Sequence, residues 1–254
     1  MGMATLIPSN GGAAIEVANV DGVRIAGVLL EAGQGASESL LTFGQLGYAG
    51  SSSNPSAIND VFARVGGTNV SGDVKAKTMI TVNSGNVVID NVWLWRADHD
   101  IQGLVYSSRN PVDTGLKVNG DNVIGYALAC EHTLGDMLVW NGNEGKSFFF
   151  QSEYPYDVTQ ANYGDKGFVA YKVGDNVTSH EAYGIGVYSF FRDNIVTIEN
   201  GIKAPQTAKF HNSLSVFLDG NGQINHVING QGEASNKGSG VHYVCEAGNG
   251  LFLQ

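Results

Sequence analysis

The strongest constraint on the fold is a 22-residue repeat that puts two glutamates at equivalent positions. One copy runs Val118-Asn119-Gly120-Asp121-Asn122-Val123 and continues to Cys130-Glu131-His132. The next runs Trp140-Asn141-Gly142-Asn143-Glu144-Gly145 and continues to Ser152-Glu153-Tyr154. A fixed period of this size is what a coiled solenoid produces, with equivalent positions stacked turn over turn. With one turn per period, Glu131 and Glu153 come to lie about 5 Å apart, the spacing of neighbouring hydrogen-bonded strands. Stacked carboxylates on one sheet face repel each other, so packing gives no reason to place them there. A chemical role would.

The rest of the chain fits short strands joined by corners. Apolar and β-branched segments such as Val61-Phe62-Ala63-Arg64-Val65, Met79-Ile80-Thr81-Val82 and Val92-Trp93-Leu94-Trp95 are each closed by Gly, Asn or Asp. No stretch holds a 3.6-residue period. The 35 glycines and 5 prolines suit tight corners better than long helices. Asn83, Asn119 and Asn141 fall at equivalent corners, where stacked asparagines hydrogen-bond to one another. The gap of 36 residues between the first two is one turn plus an insertion at 102–111, and a second insertion spans 154–166. The expected fold is all-β: a right-handed single-stranded parallel β-helix of the pectate-lyase-like solenoid type, one domain over residues 1–254, ending in a strand over 241–253.

Composition narrows the partners. A net charge of −10 with scattered Lys and Arg argues against nucleic acid, and no apolar run reaches the length of a membrane span. Cys130 and Cys245 share no metal-ligand spacing and read as unpaired side chains. The triplets Asn69-Val70-Ser71 and Asn176-Val177-Thr178 match the glycosylation pattern without deciding anything. Asp98-His99-Asp100 has no companion at zinc or calcium spacing, so neither a metal nor a cofactor is expected.

Eight residues on from each Asn-Val corner, one column of side chains contains Trp95, Glu131, Glu153 and Ile185. An aromatic ring beside two acids is the equipment of a sugar groove. The ring stacks on a pyranose, while the carboxyls handle the glycosidic oxygen and the water. A neighbouring acid also raises a carboxyl's pKa, as a general acid requires. Glu153 and Glu131 are therefore the candidate catalytic pair. Trp95, Asp98, His132, Trp140, Gln151, Tyr154, Tyr156, His180 and Glu181 are the candidate substrate contacts. Of Trp93 and Trp95, one is expected to face the core and the other solvent.

The chain also resembles a family. The residues that carry the likeness are Trp93-Leu94-Trp95-Arg96-Ala97-Asp98-His99, the run Asp113–Val123, Glu131-His132, Trp140-Asn141-Gly142, the run Phe150–Asp157, Tyr171-Lys172-Val173 and His180-Glu181-Ala182. These resemble the second half of secreted bacterial proteins built from two side-by-side β-helices, distantly similar to the β-1,3-glucanases of glycoside hydrolase family 55. The resemblance implies an inverting glycosidase secreted by its source, with Glu153 as general acid and Glu131 holding the attacking water. It also implies a preceding β-helix that this chain lacks. The chain, which shows no signal peptide, then reads as a fragment whose uncovered surfaces invite self-association. Two alternatives remain: a non-catalytic carbohydrate-binding or self-assembling scaffold, and a polysaccharide lyase, which the acidic charge disfavours.

Overall fold

The computed structural model describes residues 4–68 and 74–248. The triplet at 69–71 and the end of the expected last strand, beyond Gly248, lie outside the described residues. Among the described residues the chain winds as a parallel β-helix with two main sheets. Each coil gives a long strand to a nine-stranded sheet and a short strand to an eight-stranded one. The long strands include Ser56–Val65, Val87–Arg96, Ile124–Glu131, Gly145–Glu153, His180–Ser189 and Ala208–Phe217. They lie side by side in that order. The sequence period is the physical coil: Glu131 pairs with Glu153 across one sheet, and Leu116 with Leu138 across the other.

Alternation fills the interior. Along Gly145–Glu153 the inward positions are Gly145, Ser147, Phe150 and Ser152, whereas Lys146, Phe149, Gln151 and Glu153 are turned outward or half-buried. The phase shifts once, at Phe149, because that residue is left-handed (φ 63°). The equivalent residue of every long strand shares this conformation: Gly27, Asp60, Asn91, Ala127, Gly184 and Asn212 have φ between 49° and 69°. Asp and Asn tolerate it better than most residues, and Gly adopts it freely. Stacked into a column, these residues bend each long strand at one height. The outer surface is thereby divided into two faces, one before the bend and one after it.

Asparagines build the opposite corner. The Asn119 side-chain amide donates to Asn83 Oδ1 at 2.8 Å, and Asn141 donates to Asn119 Oδ1 at 2.8 Å. The glycine after each asparagine lets neighbouring coils close up. A methyl group on Gly142 would sit 1.8 Å from the Gly120 carbonyl oxygen, and one on Gly120 would sit 1.9 Å from that of Ser84. Backbone cannot yield as a side chain tip can. Gly142→Ala is therefore expected to cost about 1–3 kcal/mol, the usual range for overpacking, read as a lower urea midpoint at unchanged slope.

Two departures from expectation concern the strands. Val241–Ala247 pairs antiparallel with Ala208–Phe217, so the last strand runs back along the final parallel strand of that sheet and is not a further parallel coil. The preceding loop explains it: Gly230, Gly232 and Gly240 all have positive φ and turn the chain back before another coil forms. Trp93 and Trp95 both face outward, with Leu94 between them buried, because residues two apart in a strand share a face.

The insertion after Arg96 carries a small hairpin, His99–Asp100 against Gly103–Leu104, and the insertion after Glu153 holds a short 3-10 helix, Gly164–Lys166. Arg96, 1% exposed, ties them together. Its guanidinium donates to both Asp157 oxygens at 2.9 Å and to the Arg109 carbonyl at 2.7 and 3.0 Å.

Candidate active site

The long strands end beneath these insertions, and their last outward residues form a column running Arg64, Trp95, Glu131, Glu153 and Tyr188. Glu131 and Glu153 are directly paired Cα neighbours, both half-buried and on the outer face. Tyr188 replaces the expected Ile185, which is buried. The strand of that coil starts at His180, three residues after Val177, so the count from the corner lands on the wrong side chain.

The carboxyls turn toward different partners. Glu131 Oε2 accepts from the indole N–H of Trp93 at 3.0 Å, and the Gln151 side chain also favours its charged form. Glu153 Oε1 accepts from the Tyr156 hydroxyl at 2.5 Å. Burial raises the pKa of each above the ordinary carboxylate value, and the charge of Asp98 raises both further. For Glu131 the Glu153 charge adds to this. Asp98 itself accepts from Trp95 Nε1 at 3.2 Å and lies 3.0 Å from His99 Nδ1. The result is a site of three acids beside two tryptophans whose rings stack with centroids 5.9 Å apart. Trp93, Trp95, Leu29, Phe62 and the Arg64 stem surround an adjoining hollow of about 250 Å³. Among the described residues no three His, Cys, Asp or Glu side chains gather as a metal site.

Not every expected contact is here. Trp140 is 0% exposed: it points inward from Leu138–Trp140 and packs on His180, with ring centroids 4.9 Å apart. Tyr154 is also core, packed between Tyr163 and Phe191 inside the second insertion. His180 is buried, its Nε2 2.9 Å from the Tyr171 hydroxyl, and burial pushes its pKa down to about 3. A neutral ring in the core contacts no substrate. Glu181 faces outward but starts its strand on the far side of the bend, where it pairs with His211 at 3.3 Å. His132 lies just under the site. Its Nδ1 is 3.1 Å from the Tyr154 carbonyl and its ring packs on Tyr156 at 4.4 Å, so it shapes the floor. Burial pushes its pKa down to about 4. Trp95, Asp98, Gln151 and Tyr156 do gather around the acid pair, joined by Trp93, Phe190 and Tyr188.

Raised carboxyl pKa values have a consequence for stability. Between the ordinary carboxylate value and the raised one, the folded chain keeps a proton that the unfolded chain has lost, so stability falls as pH climbs through that window. Glu131→Gln keeps an acceptor for Trp93 but never ionises. It is expected to melt higher than wild type at pH 7, the advantage closing below pH 4.5, where both carboxyls are protonated in either state. Thermal melts at pH 4 and pH 7 read the difference.

A stack of parallel coils with an acidic site at the ends of the long strands is a β-helix of the pectate-lyase-like class. Residues 1–153 match the LAM55 pectate lyase-like domain, and the chain belongs to that family. It is 43% identical over 241 residues to an exo-beta-1,3-glucanase of Streptomyces sp. (strain SirexAA-E / ActE), which covers 92% of this chain and 39% of that protein. It is also similar to the solved structure of sacteLam55A from Streptomyces sp. SirexAA-E, at 42% identity and a TM-score of 0.90, over 96% of this chain and 45% of that one. A variant of that protein in complex with glucose matches at 40% identity and a TM-score of 0.90. The chain thus spans less than half the length of these relatives.

Proposed function

We propose that this chain is the acid-bearing β-helix of a β-glucan hydrolase, acting on a β-1,3-linked glucose polymer. The observation that carries the reading is the stacked, half-buried pair Glu131–Glu153, each acid held by its own donor beside an exposed tryptophan. Glu153 is the general acid: its one donor is the Tyr156 hydroxyl, and the Asp98 charge and burial favour its protonated form. Glu131 accepts from Trp93 and is favoured in its charged form by two donors, Trp93 and Gln151, against the one donor on Glu153, and it serves as base or as holder of the attacking water.

One rung separates the strands by about 4.8 Å, while inverting glycosidases need roughly 6.5–9.5 Å between carboxyls. Glu131 accepts from Trp93 on the preceding coil and Glu153 from Tyr156 in the following insertion, so the two carboxyls are held by partners on different sides. The 43% identity to a glucanase supports the substrate class. The test is sugar release from β-1,3-glucan, with products read by mass. Turnover by the wild type that is lost in Glu153→Gln supports the assignment. Equal rates in the two, or no turnover on any β-glucan, defeat it.

A further inference from the structure

The acid pair has a tyrosine on the side away from the tryptophans. Tyr188 is the Cα partner of Glu153 on the next coil, and Gly186, two residues earlier on the same face, is the partner of Gln151. The position of Gly186 carries Trp93, Ala129 and Gln151 on earlier coils, so a side chain, large or small, is the norm there. Here there is none, and the Tyr188 ring lies back over the vacancy. Its Cε2, Cζ and hydroxyl oxygen come within 2.9, 3.5 and 3.3 Å of the point where a Gly186 Cβ would stand. The ring is half-buried, and its hydroxyl has no hydrogen-bond partner among the described residues. That sets it apart from Trp93, Trp95 and Tyr156, whose polar tips are committed to Glu131, Asp98 and Glu153.

We infer that Tyr188, laid over Gly186, is a second sugar-binding position on the far side of the acid pair from Trp93 and Trp95. The inference rests on the glucan-hydrolase reading and extends it by giving the substrate a direction. A chain of β-linked glucose units lies along the coil axis, crossing from the tryptophan coil over Glu131 and Glu153 to the Tyr188 coil. The rung spacing of about 4.8 Å sets those coils at successive steps along it. An aromatic ring with a free hydroxyl suits a pyranose, giving apolar contact and one hydrogen bond together. Gly186 is what keeps the groove floor low; with a side chain there, Tyr188 would stand out and obstruct it.

The measurement is KM and kcat on β-1,3-linked gluco-oligosaccharides of increasing length, using the full chain. Tyr188→Ala is expected to raise KM by roughly 5–10-fold on the longer oligosaccharides, the weight of one aromatic contact, with the loss falling on KM and growing with length. Gly186 has ordinary backbone angles, so Gly186→Val displaces the ring without backbone strain. It is expected to raise KM in the same length-dependent way, and Tyr188→Phe to keep most of the affinity. An unchanged KM at every length, or an equal loss at every length in both Tyr188→Ala and Gly186→Val, overturns the position while wild-type turnover still upholds the hydrolase reading. Failure of the wild type to act at all strikes that reading instead.

Discussion

Glu153→Gln is expected to lower glucan turnover by roughly 10²- to 10⁴-fold, the contribution of a general acid, while leaving substrates with good leaving groups far less impaired. The reason lies in what the proton does. A sugar alkoxide is a poor leaving group and must be protonated as the bond breaks. A dinitrophenolate or a fluoride departs without that help, so its rate depends on the water and not on the acid. Glutamine preserves the shape of Glu153 and can still accept from Tyr156, so the groove keeps its form. Glu131→Gln is the contrasting variant. Its proposed action on the water predicts that it slows both classes of substrate alike. Comparing aryl glucosides over a range of leaving-group pKa in the two variants separates the roles. A Glu153→Gln enzyme equally slow on every leaving group would remove the acid assignment.

Arg96→Met is expected to destabilise the fold by about 3–5 kcal/mol, the range seen when one partner of a buried ion pair is removed. Asp157 would be left inside the protein with its charge and with the Ser108 N–H, at 2.7 Å, and its own backbone N–H to answer it. The Arg109 carbonyl would lose both of its guanidinium donors. Burial by itself would raise the Asp157 carboxyl, but Arg96 outweighs it and holds the group below its ordinary value. The sign follows: this pair stabilises the protein above pH 3.8, and the contribution fades as pH falls through the depressed value. Urea unfolding at pH 7 checks the size of the loss. Arg96→Met combined with Asp157→Leu, which leaves no unpaired charge, should recover much of it. Since Arg96 fastens the insertion that carries Tyr156, the single variant should also lose more activity than a merely less stable protein would. If it melts like wild type, the clamp is not what holds the insertions.

Much of this was legible in the residues, and the failures share a cause. The period of 22 became the coil because hydrogen bonding between successive turns permits only one register once Asn, Gly and the inward apolar residues must stack. The acid pair followed from the same register, since two glutamates at one phase of one repeat must meet. The Asn83–Asn119–Asn141 ladder followed too. Trp140, Tyr154 and His180 were misplaced because a polar tip on a large ring says nothing about which way the ring points. All three went inward, where a ring fills space that a smaller residue would leave open. Trp93 was within reach of the residues alone, through the period of two that it shares with Trp95.

What the linear order of residues determined by itself is the repeat: parallel strands, their register, the asparagine corner and two carboxyls stacked on one wall. Those properties depend only on neighbours one coil apart, and spacing along the chain encodes them. What only the folded coil decided is how that wall is furnished. The left-handed column at Asn91, Ala127 and Phe149 divides the outer surface and sends Glu181 away from the acids. Insertions bring Asp98 and Tyr156 over them, and an absent side chain at Gly186 lets Tyr188 lie beside them. Each of these depends on loop length and on contact between segments far apart in the chain, which no local period records.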